Sequence, residues 1–266
     1  MSGVSDIPPP PGGRHPDPPP PPPPNLSPPP GYAAYDNAPT SGQLSRVGGL
    51  AKAATILVAV VGATALIAAV LSAGSRDAAR DYREGRISET EFLESYLVVG
   101  MLGLVQLAAT IAAFVITVIL MYRLAANHRA LGRSGTWGPG WAIGGWFLPP
   151  LVLYVIPFLM FRELWKAADP DPRTEGDRWK QNPVGAIVPI WWVLYGLVPV
   201  ALIAFQGADG MGAGGFASTT DALAETVEEQ FALTLFGGAA TAAAAIAFIV
   251  MIRQLATRHR QLTGES

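Results

Sequence analysis

The stretch WAIGGWFLPPLVLYVIPFLMF, residues 141–161, runs for 21 residues without a charged side chain. A helix of that length rises about 30 Å, the thickness of a hydrocarbon core. Yet Pro149, Pro150 and Pro157 interrupt it. Each proline removes a backbone donor, and Pro150 also disfavours helix at the residue before it. Only a broken helix fits, and such a segment is acceptable at membrane depth when protein or water satisfies its freed carbonyls. The residues therefore predict a shallow re-entrant or interfacial hairpin. Whether it crosses decides on which side of a membrane the N-terminus lies.

Outward from this stretch the composition is that of a membrane protein. Half of the 266 residues are hydrophobic and 14% are charged, and the apolar residues come in long blocks. A net charge of -2 argues against a broad nucleic-acid-binding surface. The chain has no cysteine, so disulfides, thiol nucleophiles and Cys metal sites are excluded. Four blocks have the length and apolarity of spanning helices: residues 50–71, 97–122, 184–205 and 231–252. Ser88 and Glu91 have capping-box spacing, so the second helix is expected to start outside the membrane. The third follows Pro183 and carries Pro189 and Pro199, where kinks are expected. Small residues recur as Gly62 with Ala63, Gly100 with Gly103, and GGAATAAAA at 237–245. They permit close helix packing, within the bundle or between copies.

Residues 1–48 hold 16 of the 25 prolines, including an unbroken run from 18 to 24, and almost no aliphatic side chains. Such a segment cannot bury enough surface to offset the entropy of folding and reads as a disordered arm. As a polyproline helix, residues 8–30 would reach about 70 Å. The first 45 residues lack the apolar core of a secretory signal, so no cleaved segment is expected. The multi-pass helical domain is assigned to 49–255 and a short tail to 256–266.

With four spans and the N-terminus inside, 13 basic residues from Arg46 onward fall on the cytoplasmic side. Arg76, Arg80, Arg83 and Arg86 fall outside with six acids, and a second outer loop near 206–230 carries five acids and no Lys or Arg. This obeys the positive-inside rule. A five-span arrangement with the N-terminus outside satisfies charge nearly as well, and proline chemistry favours the first. Both termini are expected in the cytoplasm, on a cell-membrane protein. All seven tryptophans lie between Trp137 and Trp192, as expected of rings at a membrane interface. After the prolines, Phe158, Phe161, Trp165 and Ala168 share one helical face while Arg162, Glu163 and Lys166 point away. This reads as a short helix on the cytoplasmic surface, or alternatively as a core helix beneath a loop. The fold class is thus an all-α integral membrane protein: four spanning helices, a proline-broken hairpin, a surface helix and a disordered arm.

Three blocks in order, YRLAANHRALG at 122–132, GWAIGGWFLPP at 140–150 running into PFLMFRELWKAADP at 157–170, and WW at 191–192, resemble a largely actinobacterial membrane-protein family catalogued as domain of unknown function 4328. The similarity covers about residues 50–255 and excludes the arm. Its best-matching positions are Arg123, Asn127, Trp146, Pro149, Pro157, Glu163 and Trp165. The resemblance implies a domain and a membrane location, without a reaction, cofactor or ligand.

Membrane transporters and intramembrane enzymes place ionisable residues inside their spans. The apolar interiors here hold none; hydroxyls and an amide, among them Gln106, Thr110, Thr117, Tyr195, Thr234 and Thr241, interrupt them. Hydroxyls in such helices mostly bond to their own backbone. Histidines 15, 128 and 259 show no metal-ligand spacing, and GADGMGAGG at 207–215 reads as a flexible turn. No catalytic, cofactor or metal residue is assigned, and an enzymatic role finds no support. Arg123 and Asn127, four apart, share a helical face. Glu163 is expected to pair with Arg123, with Trp146 and Trp165 filling the space between; the alternative is separate solvated charges. Arg129, Arg133 and Lys166 are candidate contacts for anionic lipid head groups. The leading function is a non-enzymatic membrane protein presenting a cytoplasmic arm, with residues 8–30 open to proline-recognising partners. The alternative is a small transporter or lipid-handling protein using the hairpin at 141–161. No residue pattern supports a homo-oligomer.

Overall fold

The structure, a computed structural model, describes residues 44–147, 150–171, 176–199 and 219–265. Residues 1–43 of the arm, Pro149 and the glycine-rich turn at 207–215 lie outside the described residues, all of which are helical or irregular, without strand. Three helices are long and apolar enough to cross a membrane: α1, Gly48–Arg83; α2, Glu89–Ala130; and α7, Phe231–Thr263. The remaining block, 184–205, is followed only to Pro199. What was set off as a short tail continues α7 as far as Thr263.

Both ends of the bundle extend past the apolar blocks. At one end the capping box forms as the spacing predicts: Ser88 Oγ accepts from Glu91 N–H at 3.3 Å and Glu91 accepts from Ser88 N–H at 2.7 Å. There Phe92 stacks on Tyr82 at 5.4 Å, and a short helix α6, Thr220–Glu229, closes over them with Ala224 buried. The Tyr82 hydroxyl donates to Asp221 at 2.9 Å, and Arg80 and Arg83 both reach Glu228. These two guanidinium groups hold the Glu228 carboxyl below its usual range. Arg80, Arg83 and Arg86 are thus paired with acids of this end, whereas Arg76 lies over the Phe231 ring.

Along the bundle, small residues set the approach of α1 to α7. A Cβ on Gly62 would lie 2.7 Å from Ala245 Cβ, and one on Gly238 would lie 2.4 Å from Ala69 Cβ and 2.9 Å from the Ala65 carbonyl. Gly100 and Gly103 do not share this role. A Cβ on either meets nothing within 4 Å, because that face of α2, with Leu97, Met101 and Leu104, is turned outward.

The hairpin breaks where the prolines require. Helix α3, Pro139–Gly144, ends in a turn, and α4, Pro150–Ala167, then runs back. Gly145 touches Ile156, since a Cβ there would lie 2.7 Å from Ile156 Cγ2. In one continuous helix those residues would stand about 16 Å apart. The turn packs inward: Trp146 meets Phe114 edge-on at 5.2 Å. Phe114 lies nine residues, about 13 Å, inward from Arg123. The segment therefore dips toward the middle of the bundle and returns to the end it left.

Three expectations are corrected here. Pro157 does not end a helix; α4 passes through it. The proline leaves the carbonyl at position 153 without its helical donor. One residue on, the Tyr154 carbonyl accepts from Trp192 Nε1 at 3.0 Å, so a neighbouring segment supports the weakened turn. Second, α4 is a core helix rather than a surface one. Met160, Phe161, Leu164, Trp165 and Ala168 are buried against α2, α7 and α5, Ile187–Trp192. Third, three of the seven tryptophans are not available to an interface: Trp165, Trp179 and Trp191 are buried, because large rings fill the space that a broken hairpin leaves among straight helices, whereas Trp141 is exposed. After Trp192 the helix widens into a π turn, Val193–Leu197, just before Pro199.

Candidate functional site

At the end opposite α6, the start of α1 and the last turns of α2 and α7 meet around one buried side chain. Asn127 lies on the face of α2 that also buries Leu120, Met121 and Leu124, so the helical period carries it into the core. There its amide reads the backbone of the incoming chain. Ser45 N–H donates to Oδ1 at 2.9 Å, and Nδ2 donates to the Ser45 carbonyl at 2.8 Å. A backbone N–H can only donate, so this pair fixes the orientation of the amide.

The second Nδ2 hydrogen then has one partner, His259 Nε2 at 3.0 Å, which must accept. A histidine accepting at Nε2 is neutral and carries its proton on Nδ1. That proton faces His128 Nε2 at 3.3 Å, which must in turn accept. Both imidazoles are therefore neutral, by donor and acceptor count alone. Electrostatics agree: burial, then the neighbouring His259 ring, which would compete for the same proton, and the Arg133 charge push His128 down to about 3. Burial pushes His259 down to about 4, partly opposed by Glu265. Both rings stand beyond the apolar blocks 97–122 and 231–252.

Further contacts hold the same segment. The Glu265 carboxylate accepts from Val47 N–H at 3.2 Å and Gly48 N–H at 3.1 Å, two free donors of the first turn of α1. Arg123 donates to the Arg46 carbonyl at 3.2 Å, and Val47 is fully buried. Arg123 and Asn127 thus share a face as their spacing predicts, and both grip residues 45–46.

Glu163 does not pair with Arg123. Its two oxygens accept from Thr136 N–H and Trp137 N–H, each at 2.9 Å, tying α4 to the loop after α2. Gly135 makes this approach available, since a Cβ there would lie 2.1 Å from Glu163 Oε1. A carboxylate can satisfy two adjacent backbone donors at once, whereas Arg123 is already engaged on the far side of α2. Trp146 and Trp165 do not lie between them. Trp146 is at the inner turn of the hairpin, and Trp165 packs on Gly185 under the Arg258 guanidinium at 4.9 Å. Arg258 also bonds Asp169 at 2.7 Å, fastening the end of α4 to α7. Among the basic candidates, Arg133 donates to the carbonyls of Ala167 and Asp169 at 2.7 and 2.6 Å, and Lys166 to the Lys180 carbonyl at 2.8 Å. Arg129 is exposed beside Gly138.

Replacing Glu163 by Gln leaves one acceptor for two N–H groups. We expect a loss of about 1–2 kcal/mol in the stability of the detergent-solubilised protein. A double-mutant cycle with Arg123→Gln is expected to give a coupling below about 0.5 kcal/mol. A coupling above 1 kcal/mol would restore the direct ion pair.

The missed members of the site are Ser45, His259 and Glu265. Only His259 left a signal: it extends the buried stripe Phe248, Ile252, Leu255 by one helical turn. Ser45 contributes backbone alone, which no residue type announces.

No curated protein and no solved structure matches the chain. A family model, described as domain of unknown function (DUF4328), matches residues 83–257. The match begins at the end of α1, later than the residues from about 50 that the resemblance covered. It contains Asn127, His128, the whole hairpin and Glu163, and leaves out Ser45, His259 and Glu265. Since it takes in well over half of the chain, including the broken hairpin, this protein belongs to the DUF4328 family.

Proposed function

We propose that the chain is a non-enzymatic, multi-pass protein of the cell membrane whose bundle presents the proline-rich arm at the cytoplasmic face. One observation carries the reading: the residues that lead out of the arm, 44–48, are clamped between α2 and the last turns of α7 by Asn127, Arg123 and Glu265. The arm and the C-terminus therefore leave from the same end of the bundle, the end holding Arg123, Arg129, Arg133, Arg258 and Arg260. The positive-inside rule makes that end cytoplasmic. The chain must also pass from this end, after Ala130, to the other, before Thr220. The block at 184–205 supplies that fourth crossing. A multiply bonded exit, with Val47 buried, fixes the point from which the extended arm reaches partners that read proline segments through aromatic grooves. Arg129, Arg133 and Lys166 would face anionic head groups at this surface, with Arg133 and Lys166 also bracing the hairpin.

The absence of native cysteine gives a clean test. A cysteine replacing Ser27 in the arm is expected to resist a membrane-impermeant maleimide in intact cells and to react after permeabilisation. A cysteine replacing Glu84, at the opposite end, should react in intact cells. The reverse pattern would put the arm outside and end the cytosolic docking role.

A second reading, a transporter or lipid-handling protein, is favoured by a cavity in the bundle. Its volume is about 490 Å³, so the interior is not sealed.

A further inference from the structure

That cavity lies among α1, α2, the inner turn of the hairpin, the π turn and α7. Its size falls within the range of small-molecule sites. The pairings along the helices show how it is ordered. Ser45 meets Asn127 and Tyr82 meets Phe92, so α1 and α2 run antiparallel; Gly62 meets Ala245 and Gly238 meets Ala69, so α1 and α7 do too. By this register Phe114 and Phe248 stand at one level, and Trp191 joins them at 5.8 Å from Phe248. About two turns away toward α6 stand Gln106 and Thr241, with Tyr195 between the levels, on the π turn. The cavity is thus aromatic at one end and polar at the other, about 12 Å apart. The space is left by Gly237, Ala240 and Ala244, which line it from one face of α7.

Three features separate this from a packing gap. Apart from two tyrosines, none of the described residues lining it has a titratable side chain. The Gln106 amide and the Tyr195 hydroxyl have no hydrogen-bond partner among the described residues, although an amide in the middle of an apolar span is costly unless it is used. And the wall contains a π turn, a local irregularity that recurs at functional sites. At the aromatic end Thr117 and the Trp146 indole N–H, a buried donor without a hydrogen-bond partner among the described residues, also line the cavity. A charged head group would find no counter-ion among the described lining residues.

We propose that the cavity binds one uncharged lipid with a small hydroxyl- or carbonyl-bearing head, of the monoacylglycerol type. Its chain lies on Phe114, Trp191 and Phe248, and its head meets Gln106 and Tyr195. The site stands independently of the arm, and the reading of the arm can fail without touching it.

The test uses the full chain in phosphatidylcholine nanodiscs and a monoacylglycerol carrying a diazirine on its acyl chain. Photolysis is expected to label peptides within 106–117 and 237–248, and excess unlabelled monoacylglycerol should abolish the labelling. Ala244→Phe, which fills the cavity, should also abolish it. Gln106→Leu, which removes only the amide and suits an apolar span, should weaken apparent affinity up to about tenfold. Equal competition by a fatty acid or by phosphatidylglycerol would overturn the proposal, as would labelling that survives Ala244→Phe. If the phenylalanine variant does not fold, Gln106→Leu decides alone: unchanged competition in it overturns the site.

Discussion

Replacing Asn127 by alanine is expected to cost about 3–5 kcal/mol of stability and to free the segment before α1. The amide is the partner of three groups: the N–H of Ser45, its carbonyl, and His259 Nε2. A buried polar group left without a partner costs about 1–3 kcal/mol. Some water will enter at Ser45, so the sum falls short of three full penalties. The loss should be read twice, in the thermal midpoint of the detergent-solubilised protein and in protease cleavage near residues 44–47, which should accelerate. Unchanged cleavage with a lowered midpoint would mean that Asn127 packs the core without anchoring the arm. Ser45→Ala is the matching control. Only the backbone of Ser45 is bonded to Asn127, so that change should stay within about 0.5 kcal/mol. Asn127→Asp separates geometry from charge. A carboxylate still accepts from Ser45 N–H, but cannot donate to the Ser45 carbonyl or to a neutral His259.

How much of this was open to reading from residues alone depended on what kind of partner each side chain has. Patterns that pair a residue with its own helix were legible. Ser88 and Glu91 cap α2 because their spacing already satisfies two helix-end donors. Gly62 and the run at 237–245 pack because small residues admit a backbone wherever they face one. The hairpin breaks ahead of Pro150, which opens α4, because a missing donor is a covalent fact, although α4 runs through Pro157. Partners far apart in the chain were not legible. His128 looks isolated in sequence, yet its ring partner is 131 residues away. The sequence offers Glu163 an opposite charge on another helix, Arg123, whereas the structure matches it to two backbone N–H groups, which every residue but proline carries. Burial misled in the same way. Phe161 and Trp165 form an amphipathic stripe with Arg162, Glu163 and Lys166 opposite, and such a stripe does not distinguish a membrane surface from a protein core. Here the partner is protein, because α5 and α7 come to rest on it.

Acid is expected to loosen the same anchor, in a window that points to the histidines. Both rings are neutral in the fold, with His128 pushed down to about 3 and His259 to about 4, against an ordinary value near 6.5. Between pH 6.5 and about 4 the unfolded chain binds protons that the folded chain refuses, so stability rises with pH there. Their contribution is fully present above 6.5 and is lost as pH falls. The slope is about 1.4 kcal/mol per pH unit for each ring at most. Protonation cannot be absorbed locally: a proton on His259 Nε2 would set two donors, its own and Asn127 Nδ2, against each other. Glu265 favours the charged ring and Arg133 opposes it, so removing either charge should shift the midpoint in opposite directions. The carboxylates that tie the other end of the bundle, Glu91 and Glu228, are held below their usual range and act only at lower pH. Unfolding of the solubilised protein measured from pH 7.5 to 4.5 should therefore show a steep acid branch in the wild type. In His259→Gln that branch should lose about half its slope, because one titrating ring is gone while an amide can still accept from Asn127. An unchanged slope would mean that the imidazoles are not the groups taking up the protons.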